Sequence, residues 1–233
     1  AWPSWSRDGR LITFVSWTDR DLAKVMVAPA KGGSARAVTT EPGHYSNPRF
    51  SPDGRSIAFE AGSGGYLTSD RWGRDAGIYM VPASGGAPKP VQRGGANPQW
   101  GASNDRIFMT MPGDDKLQLV SADLDGEARR VHASGDLTSD FQVSPDGQSV
   151  AFRQNYEAFL MPLLPGAQDV ATATEKGALP AVRLSVGGGD FIHFSSNGSR
   201  VHWSIGPTLY TADTRGVYGG EYKTPASGIG LSQ

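Results

Sequence analysis

Histidine and carboxylate side chains are the groups with catalytic or metal-binding potential in this chain, because it contains no cysteine. A hydrolytic triad needs a nucleophile, a base and an orienting group, and no serine lies in a Gly-x-Ser-x-Gly elbow. The histidines are His44, His132, His193 and His202. A metal site from His193, His202 and Asp190 would have a spacing that matches no ligand motif, so we favour a structural role for both histidines. We expect no catalytic residue, no metal site and no cofactor in this chain.

Three aspartates, Asp8, Asp53 and Asp146, each precede a glycine, as ligands in calcium-binding loops often do. An EF-hand loop needs several spaced carboxylates and a terminal Glu, whereas each of these loops supplies a single carboxylate. The sequence "DLDG" at 123–126 is also short of ligands. We therefore interpret the Asp-Gly pairs as turns.

The tetrapeptide Ser-Pro-Asp-Gly at 51–54 returns at 144–147 and marks an internal repeat. Five copies align, each with a large apolar residue, a turn of the Ser-x-Asp-Gly type and a strand of alternating apolar residues. Glycine supplies the positive φ that a tight turn needs. In the third copy Ser103-Asn104 replaces Asp-Gly, and we expect Asn104 to adopt the positive φ. The apolar anchors are Trp5, Phe50, Trp100, Val143 and Phe194.

Each copy continues into a third apolar strand and a glycine turn, and the first three copies add a fourth strand. Four antiparallel strands in about 45 residues make one β-propeller blade. We therefore predict an all-β β-propeller of four-stranded antiparallel blades, with five visible repeats. The fifth copy shows no clear fourth strand. The predicted blades are about 1–45, 46–95, 96–138, 139–188 and 189–217, with 218–233 as a linker towards a following domain.

The repeat unit Pro-x-[Trp/Phe]-Ser-x-Asp-Gly-x-x-[Ile/Val]-x-Phe, followed by Ile-Tyr-x-Val-x-x-x-Gly-Gly, resembles the TolB-like, tricorn-type WD-like propeller repeat. The resemblance covers nearly the whole chain, from Trp2 to about Gly216. It is specific for the fold and nearly silent on activity. Propellers of this family usually have six or seven blades. The resemblance therefore implies that one or two further blades precede these five, or that a strand from elsewhere completes the ring.

A narrower resemblance lies in residues 188–213 and 222–233. They are similar to the last propeller segment of bacterial proteins in which the propeller precedes a metal-dependent amidohydrolase domain. This implies a non-catalytic binding or scaffold domain that docks on, or gates, the catalytic domain of a larger bacterial hydrolase. One alternative is a TolB-like protein–protein interaction module of the envelope. Another is a propeller hydrolase that binds a sugar or small molecule, for which Asp140 and Asp190 are the available carboxylates.

Charge and hydropathy exclude two classes of partner. The net charge is −1, from 22 basic and 23 acidic residues, so no global field gathers nucleic acid. No apolar run approaches the roughly 20 residues that span a bilayer. The first ten residues hold no apolar signal core, so we interpret the N-terminus as a processed end or a cloning boundary. We expect a protein partner or a neighbouring domain, no nucleic acid, no membrane span, and a periplasmic or secreted location.

Loops from successive blades converge at the faces and central channel of a propeller, where such proteins usually bind. The residues just before the innermost strands include Asn47, Asn97, Asp140 and Asp190, and we take these as candidate binding residues. The two aspartates would place negative charge at the channel. The alternative is ordinary loop polarity in contact with solvent.

An insertion at 62–77 lengthens the loop between the second and third strands of the second copy. It carries Tyr66, Arg71, Trp72 and Arg74, residue types that are enriched in the hot spots of protein interfaces. We expect this loop to be a docking surface. The alternative is a loop that folds back and buries its own Trp72.

Overall fold

The structure is a computed structural model, and it describes residues 1–63, 75–170, 181–218, 222–224 and 228–230. Within these residues the strands form five sheets that are built mainly of antiparallel pairs. The predicted all-β propeller of four-stranded antiparallel blades is confirmed.

The first two sheets follow the repeat in simple order, with each strand beside the next in sequence. The first sheet contains β1 (Ser4–Trp5), β2 (Leu11–Thr18), β3 (Leu22–Pro29) and β4 (Arg36–Ala37). The second contains β5 (His44–Phe50), β6 (Ser56–Gly62), β7 (Gly77–Pro82) and β8 (Lys89–Arg93).

The third sheet receives one additional strand from the part of the chain that otherwise forms the fourth sheet. The third contains β9 (Ala96–Trp100), β10 (Arg106–Pro112), β11 (Leu117–Asp123) and β12 (Arg130–Gly135). The fourth contains β13 (Thr138–Val143), β14 (Ser149–Gln154), β15 (Glu157–Pro162) and β17 (Val182–Arg183). Between β15 and β17 the chain returns to the third sheet, where β16 (Gln168–Asp169) pairs parallel with β12 and adds a fifth strand.

The fifth sheet has a fourth strand that the repeat does not reveal. It contains β18 (Asp190–Phe194), β19 (Arg200–Ile205), β20 (Thr208–Asp213) and β21 (Ile229–Gly230). A single helical turn, α1 (Thr214–Val217), follows β20, and Asp213 caps it by accepting from the amides of Arg215 and Gly216. Strand β21 lies in the segment that the sequence assigned to a linker, and it pairs antiparallel with β20.

Two tyrosines of this last segment are anchored by their hydroxyl groups. Tyr218 donates to Ser149 Oγ at 3.1 Å, and Tyr222 donates to the Leu184 carbonyl oxygen at 3.1 Å. Burial raises the pKa of each phenol to about 12. Both phenols therefore stay protonated donors at any physiological pH.

The chain divides into two compact units, Ala1–Met111 with Ser121–Arg129, and Pro112–Val120 with Arg130–Gln233. In each unit the alternating apolar residues of the strands make the core. The core of the first unit includes Val25, Val27, Phe50, Ile57, Phe59 and Val81. The core of the second includes Leu160, Leu184, Ile192, Val201 and Trp203.

The Ser-Pro-Asp-Gly turns are held by their own side chains. Ser51 Oγ donates to Asp53 Oδ1 at 2.7 Å and accepts from the Ser56 amide at 2.9 Å. Asp53 Oδ1 also accepts from the Arg55 amide at 3.0 Å, and Gly54 has φ 71°. These hydrogen bonds stabilise the ionised carboxylate and so lower the pKa of Asp53. The Ser51 hydroxyl has the largest effect, and the Arg55 amide has the next largest. The carboxylate is used within its turn, as the sequence interpretation required.

The third copy departs from this pattern, and the expectation for Asn104 is wrong. Asn104 is not among the residues with positive φ. Gly101 stands where the other copies have serine, and the Ser-x-Asp pair is displaced, so that Ser103 Oγ donates to Asp105. Asn104 therefore does not need the positive φ that the turn glycine adopts in the other copies. Its Oδ1 instead accepts from the amide of Asp53 at 3.0 Å and ties the third blade to the second.

Candidate functional site

A bulge recurs where the innermost strand of a blade begins, at the end of the blade opposite the Ser-Pro-Asp-Gly turn. The pairing register shifts in β5, β9, β13 and β18. Asn47, Asn97 and Phe191 each lie three residues before the apolar anchor of their copy, with φ between 48° and 52°. Bulges re-aim side chains and are common beside functional sites. The four predicted polar residues all lie at or beside these bulges.

In the first unit, Glu60 of β6 connects the second blade to the third. Its carboxylate accepts from Ser46 Oγ at 2.9 Å and from Asn47 Nδ2 at 2.8 Å. It also accepts from the backbone amide of Asn97, at the start of the next blade. The structure therefore brings Asn47 and Asn97 together through a carboxylate that the sequence analysis did not identify. Both asparagines serve the junction between blades.

In the second unit, Arg153 of β14 has the equivalent place between the fourth and fifth blades. It lies opposite Asp140 in the ladder, and its Nη2 atom is 3.1 Å from Asp190 Oδ1. Asp140 also accepts from Gln142 Nε2 at 3.0 and 3.2 Å. The two predicted aspartates therefore flank a guanidinium, which offsets the negative charge expected there.

Three large apolar side chains project into solvent around Arg153. Leu137 is 78% exposed, Tyr156 is 76% exposed and Phe191 is 84% exposed. The Arg153 guanidinium lies over the Tyr156 ring, 5.6 Å from its centroid, and Phe191 directly follows Asp190, the ion-pair partner of Arg153. Leu137 is next to the same hairpin, since its carbonyl accepts from the Asn155 amide at 3.2 Å. We call Leu137, Arg153, Tyr156 and Phe191 the Arg153 surface.

The backbone of the Arg153 surface is strained. Leu137, Tyr156 and Phe191 have φ of 50°, 69° and 52°, in the left-handed region that L-residues with bulky side chains avoid. Each such residue costs on the order of 1–2 kcal/mol and persists when the surrounding structure imposes it. Exposed residues gain little from packing that would offset this cost. The fold imposes these angles, since Tyr156 ends the two-residue hairpin loop between β14 and β15 and Phe191 lies at the recurring bulge. The exposed apolar side chains at these positions, rather than the angles, therefore point to a role outside the fold of the chain itself.

An ion pair beside this surface fixes the hairpin that carries Tyr156. Arg183 of β17 binds Glu157 through two contacts, Nε to Oε2 at 2.6 Å and Nη2 to Oε1 at 2.8 Å. The Nη2 contact is a hydrogen bond, whereas the Nε contact is a close approach of opposite charges. Arg183 Nε also donates to the Ser185 carbonyl at 2.9 Å, which orders the loop that carries the exposed Val186.

Sequence reasoning missed every member of the Arg153 surface. Phe191 occupies the repeat position that holds Asn47, Asn97 and Asp140 in three other copies and Trp2 in the first. Trp2 also has positive φ and is exposed, so an aromatic side chain recurs at this position and the repeat alone did not single out Phe191. The predicted docking residues of the insertion, Tyr66, Arg71, Trp72 and Arg74, lie outside the described residues.

Three histidines, His44, His193 and His202, lie against another aromatic ring. His44 packs its ring against Trp17, and His193 stacks on His202. Burial, and then the neighbouring His193 and Arg200, lower the pKa of His202. Within the described residues, no group of three or more His, Asp and Glu side chains is arranged to hold a metal ion. No helix in the same residues is long and apolar enough to cross a membrane.

No family model matches the chain. It is similar to an uncharacterized peptidase, YuxL of Bacillus subtilis, with 30% identity over 154 residues, which are 66% of this chain and 21% of YuxL. It is also similar to the Tol-Pal system protein TolB of Francisella tularensis, with 39% identity over 64 residues, which are 28% of this chain and 14% of that protein. The matched region therefore spans about a fifth or less of these curated relatives.

Solved structures show the same architecture. TolB from Acinetobacter baumannii has a TM-score of 0.67 at 19% identity, covering 93% of this chain and 52% of that chain. At this identity the likeness shows the fold alone. It agrees with the repeat and with the five sheets described above. The chain is thus a β-propeller of the TolB-like, tricorn-type repeat, as the sequence resemblance implied.

Proposed function

We propose that this chain is a non-catalytic propeller domain that binds a protein or peptide through the Arg153 surface. The observation that carries the proposal is the set of exposed apolar side chains held in strained backbone around a guanidinium. Tyrosine and arginine are enriched in interface hot spots, and phenylalanine is enriched at interfaces generally. Strained backbone clusters at binding sites because the surrounding structure holds it ready for a ligand.

The chemistry of Arg153 indicates what a partner would present. Its Nη2 atom is bonded to Asp190, and its Nε atom is buried, so a partner would meet the remaining Nη hydrogens. The guanidinium has five N–H donors, so the ion pair leaves donors for a further acceptor. We expect the partner to place an apolar or aromatic side chain against Tyr156 and Phe191 and a carbonyl or carboxylate near Arg153.

The larger protein in this proposal is a hydrolase. The similarity to a part of the peptidase YuxL supports a propeller that recognises peptides for a catalytic domain elsewhere in the polypeptide. The narrower expectation of a metal-dependent amidohydrolase rests on the resemblance of the C-terminal segment. The reading frame beyond Gln233 tests it, since a His-x-His metal motif should follow. This chain alone should show no metal-dependent amide hydrolysis, and robust turnover would overturn the non-catalytic assignment.

A second candidate is a protein-interaction module of the bacterial envelope, favoured by the local similarity to TolB. It predicts a periplasmic location, which a signal peptide in the complete gene and cell fractionation would test. Both candidates use a protein partner, and they differ in whether that partner belongs to the same polypeptide. In either case the insertion at 62–77 remains a predicted second docking element, and a Trp72→Ala, Arg74→Ala variant tests it separately.

The docking proposal is tested by capturing partners from an envelope extract on the immobilised chain. A Phe191→Asn, Tyr156→Asn variant should lose the captured protein, because it removes two rings and leaves residues that tolerate the same backbone. Leu164→Ser is the matched control. Leu164 lies at the other end of the fourth blade, where the adjacent Leu163 amide donates to Gln148. Capture that is equal for all three proteins would contradict the proposed site.

A further inference from the structure

A pair of histidines outside the Arg153 surface is placed as metal ligands often are. His193 of β18 and His202 of β19 are direct partners in the antiparallel ladder. Side chains at directly opposed positions stand on the same face of a sheet, with Cβ atoms about 5 Å apart. Their ring centroids are 4.9 Å apart and the ring planes are inclined by 26°. Because the lone pair of an imidazole lies in the ring plane, a small rotation of the side chains must bring the two Nε2 atoms together on one ion. His193 is exposed and His202 is half-buried, so an ion in solvent can reach both rings.

One nitrogen of each ring is already held by the protein. His193 Nδ1 lies 2.9 Å from the Phe191 carbonyl oxygen, which can only accept a hydrogen bond. In the neutral ring the proton is therefore on Nδ1, and the lone pair is on Nε2. His202 Nδ1 is bonded to the Thr211 hydroxyl at 2.8 Å. Histidines that ligate metals are oriented by this kind of bond, which fixes the tautomer and leaves the other nitrogen to the metal.

We propose that His193 and His202 form a two-ligand site for a divalent transition cation that prefers imidazole, such as Zn²⁺, Ni²⁺ or Cu²⁺. The two Nε2 atoms are the ligands, and water completes the coordination. Imidazole suits these ions, whereas Ca²⁺ and Mg²⁺ take oxygen ligands. Asp190 has no part in the site, because its carboxylate is bonded to Arg153. The proposal is independent of the docking function.

The charge around the pair makes both ligands necessary. Arg200 precedes His202 by two positions in β19, so the two side chains stand on the same face of the sheet and the Arg200 charge opposes a bound cation. A single imidazole beside that charge is a weak ligand. Two imidazoles on paired strands act as a chelate, because the second ligand binds at a high effective concentration. The affinity should therefore collapse when either ring is removed.

Calorimetric titration of the chain with NiCl₂, and separately with ZnCl₂, tests the site. We expect one ion per chain. His193→Gln and His202→Gln should each lower the affinity by about 10²-fold, which is the gain expected of a chelate. Thr211→Val keeps both ligands but removes an orienting bond, and it should lower the affinity by about 10-fold. His132→Gln is the control and should bind as the parent chain does.

The outcomes separate a chelating pair from adventitious binding. Equal affinity of either single variant and the parent chain would overturn the proposal, as would the absence of binding to the parent chain. Ni²⁺ is paramagnetic, so the ring protons of His193 and His202 should broaden first in NMR spectra. Broadening of His132 or His44 instead would place the ion elsewhere. Circular dichroism of each variant checks that a lost affinity does not come from a lost fold.

Discussion

Phe191 in the last blade and Asn97 in the third occupy the same position of the repeat, and both have φ of 52°. Asparagine tolerates this conformation because its short polar side chain bonds locally, whereas a bulky side chain does not. Phe191 is also 84% exposed, so its ring gives the fold little packing. The two residues share a backbone conformation, but Phe191 presents an aromatic ring to other molecules, whereas Asn97 presents a polar amide.

Replacing Phe191 with asparagine should therefore raise the free energy of unfolding while it weakens partner binding. We expect a gain of about 0.5–1 kcal/mol from relief of left-handed strain. Urea unfolding measures this, with Leu164→Ser as the control that should leave stability almost unchanged. If Phe191→Asn instead lowers the free energy of unfolding, the ring contributes to the stability of the fold.

Glu60 should be a large contributor to the stability of the first unit, because one carboxylate serves three donors from two blades. Glu60→Ala leaves the Asn97 amide without its acceptor and should lower the free energy of unfolding by about 1–3 kcal/mol. Glu60→Gln retains an oxygen and should cost less. Glu127→Ala, at an exposed glutamate, is the control. If Glu60→Ala matches that control, the junction does not depend on this carboxylate.

The pair of Arg153 and Asp190 should couple the fourth blade to the fifth by a modest amount. The side chains are 29% and 47% exposed, so solvent screens the interaction. A double-mutant cycle with Arg153→Met and Asp190→Asn should give a coupling energy of about 0.5–1 kcal/mol. That energy should shrink in about 1 M salt, where the Debye length is near 3 Å. A coupling that is insensitive to salt would mean that the charges are not what joins the blades.

The turn carboxylates should make stability depend on acid pH. The pKa of Asp53 in the folded chain is below its usual value of 3.8, because the Ser51 hydroxyl and the Arg55 amide bond to the carboxylate. The stabilisation is therefore present above the unfolded pKa and is lost as the pH falls through the folded one. The difference in stability between the parent chain and Asp53→Asn, measured by urea unfolding, should be present near pH 7 and absent well below pH 3. If the stability difference persists in acid, it comes from the shape of the Asp53 side chain and not from its charge.

The sequence predicts the turns and strands of this fold well because their causes are local. Ser51 and Asp53 are two residues apart, and the bonds that fix the turn join residues at most five apart. The same local logic failed at Asn104, where Gly101 removes the serine and the side chain is used by the neighbouring blade. The sequence pattern predicts the strands and turns of each blade. It does not predict which residue of a neighbouring blade a given side chain contacts.

The candidate surface is the part that sequence reasoning could not supply. Arg153 meets Asp190, 37 residues later in the chain, across a junction between sheets. Nothing in the alternation of β14 distinguishes Arg153 from an ordinary solvent-facing residue. The strain at Tyr156 and Leu137 is a property of backbone angles, which the repeat does not encode. Phe191 is not singled out by the repeat either, because Trp2 holds the same position in the first copy.

The short strand β16 affects whether the outer edge of β12 is available to pair with another chain. An outer strand with unpaired amide and carbonyl groups is a template on which another chain can add a strand and begin aggregation. Ala133 and Ser134 of β12 lie on such an edge, and Gln168 and Asp169 of β16 cover it. Lys116 secures the cover through an ion pair with Asp169 at 2.6 Å. The detour of the chain back to the third sheet thus works as a guard against self-association at that edge.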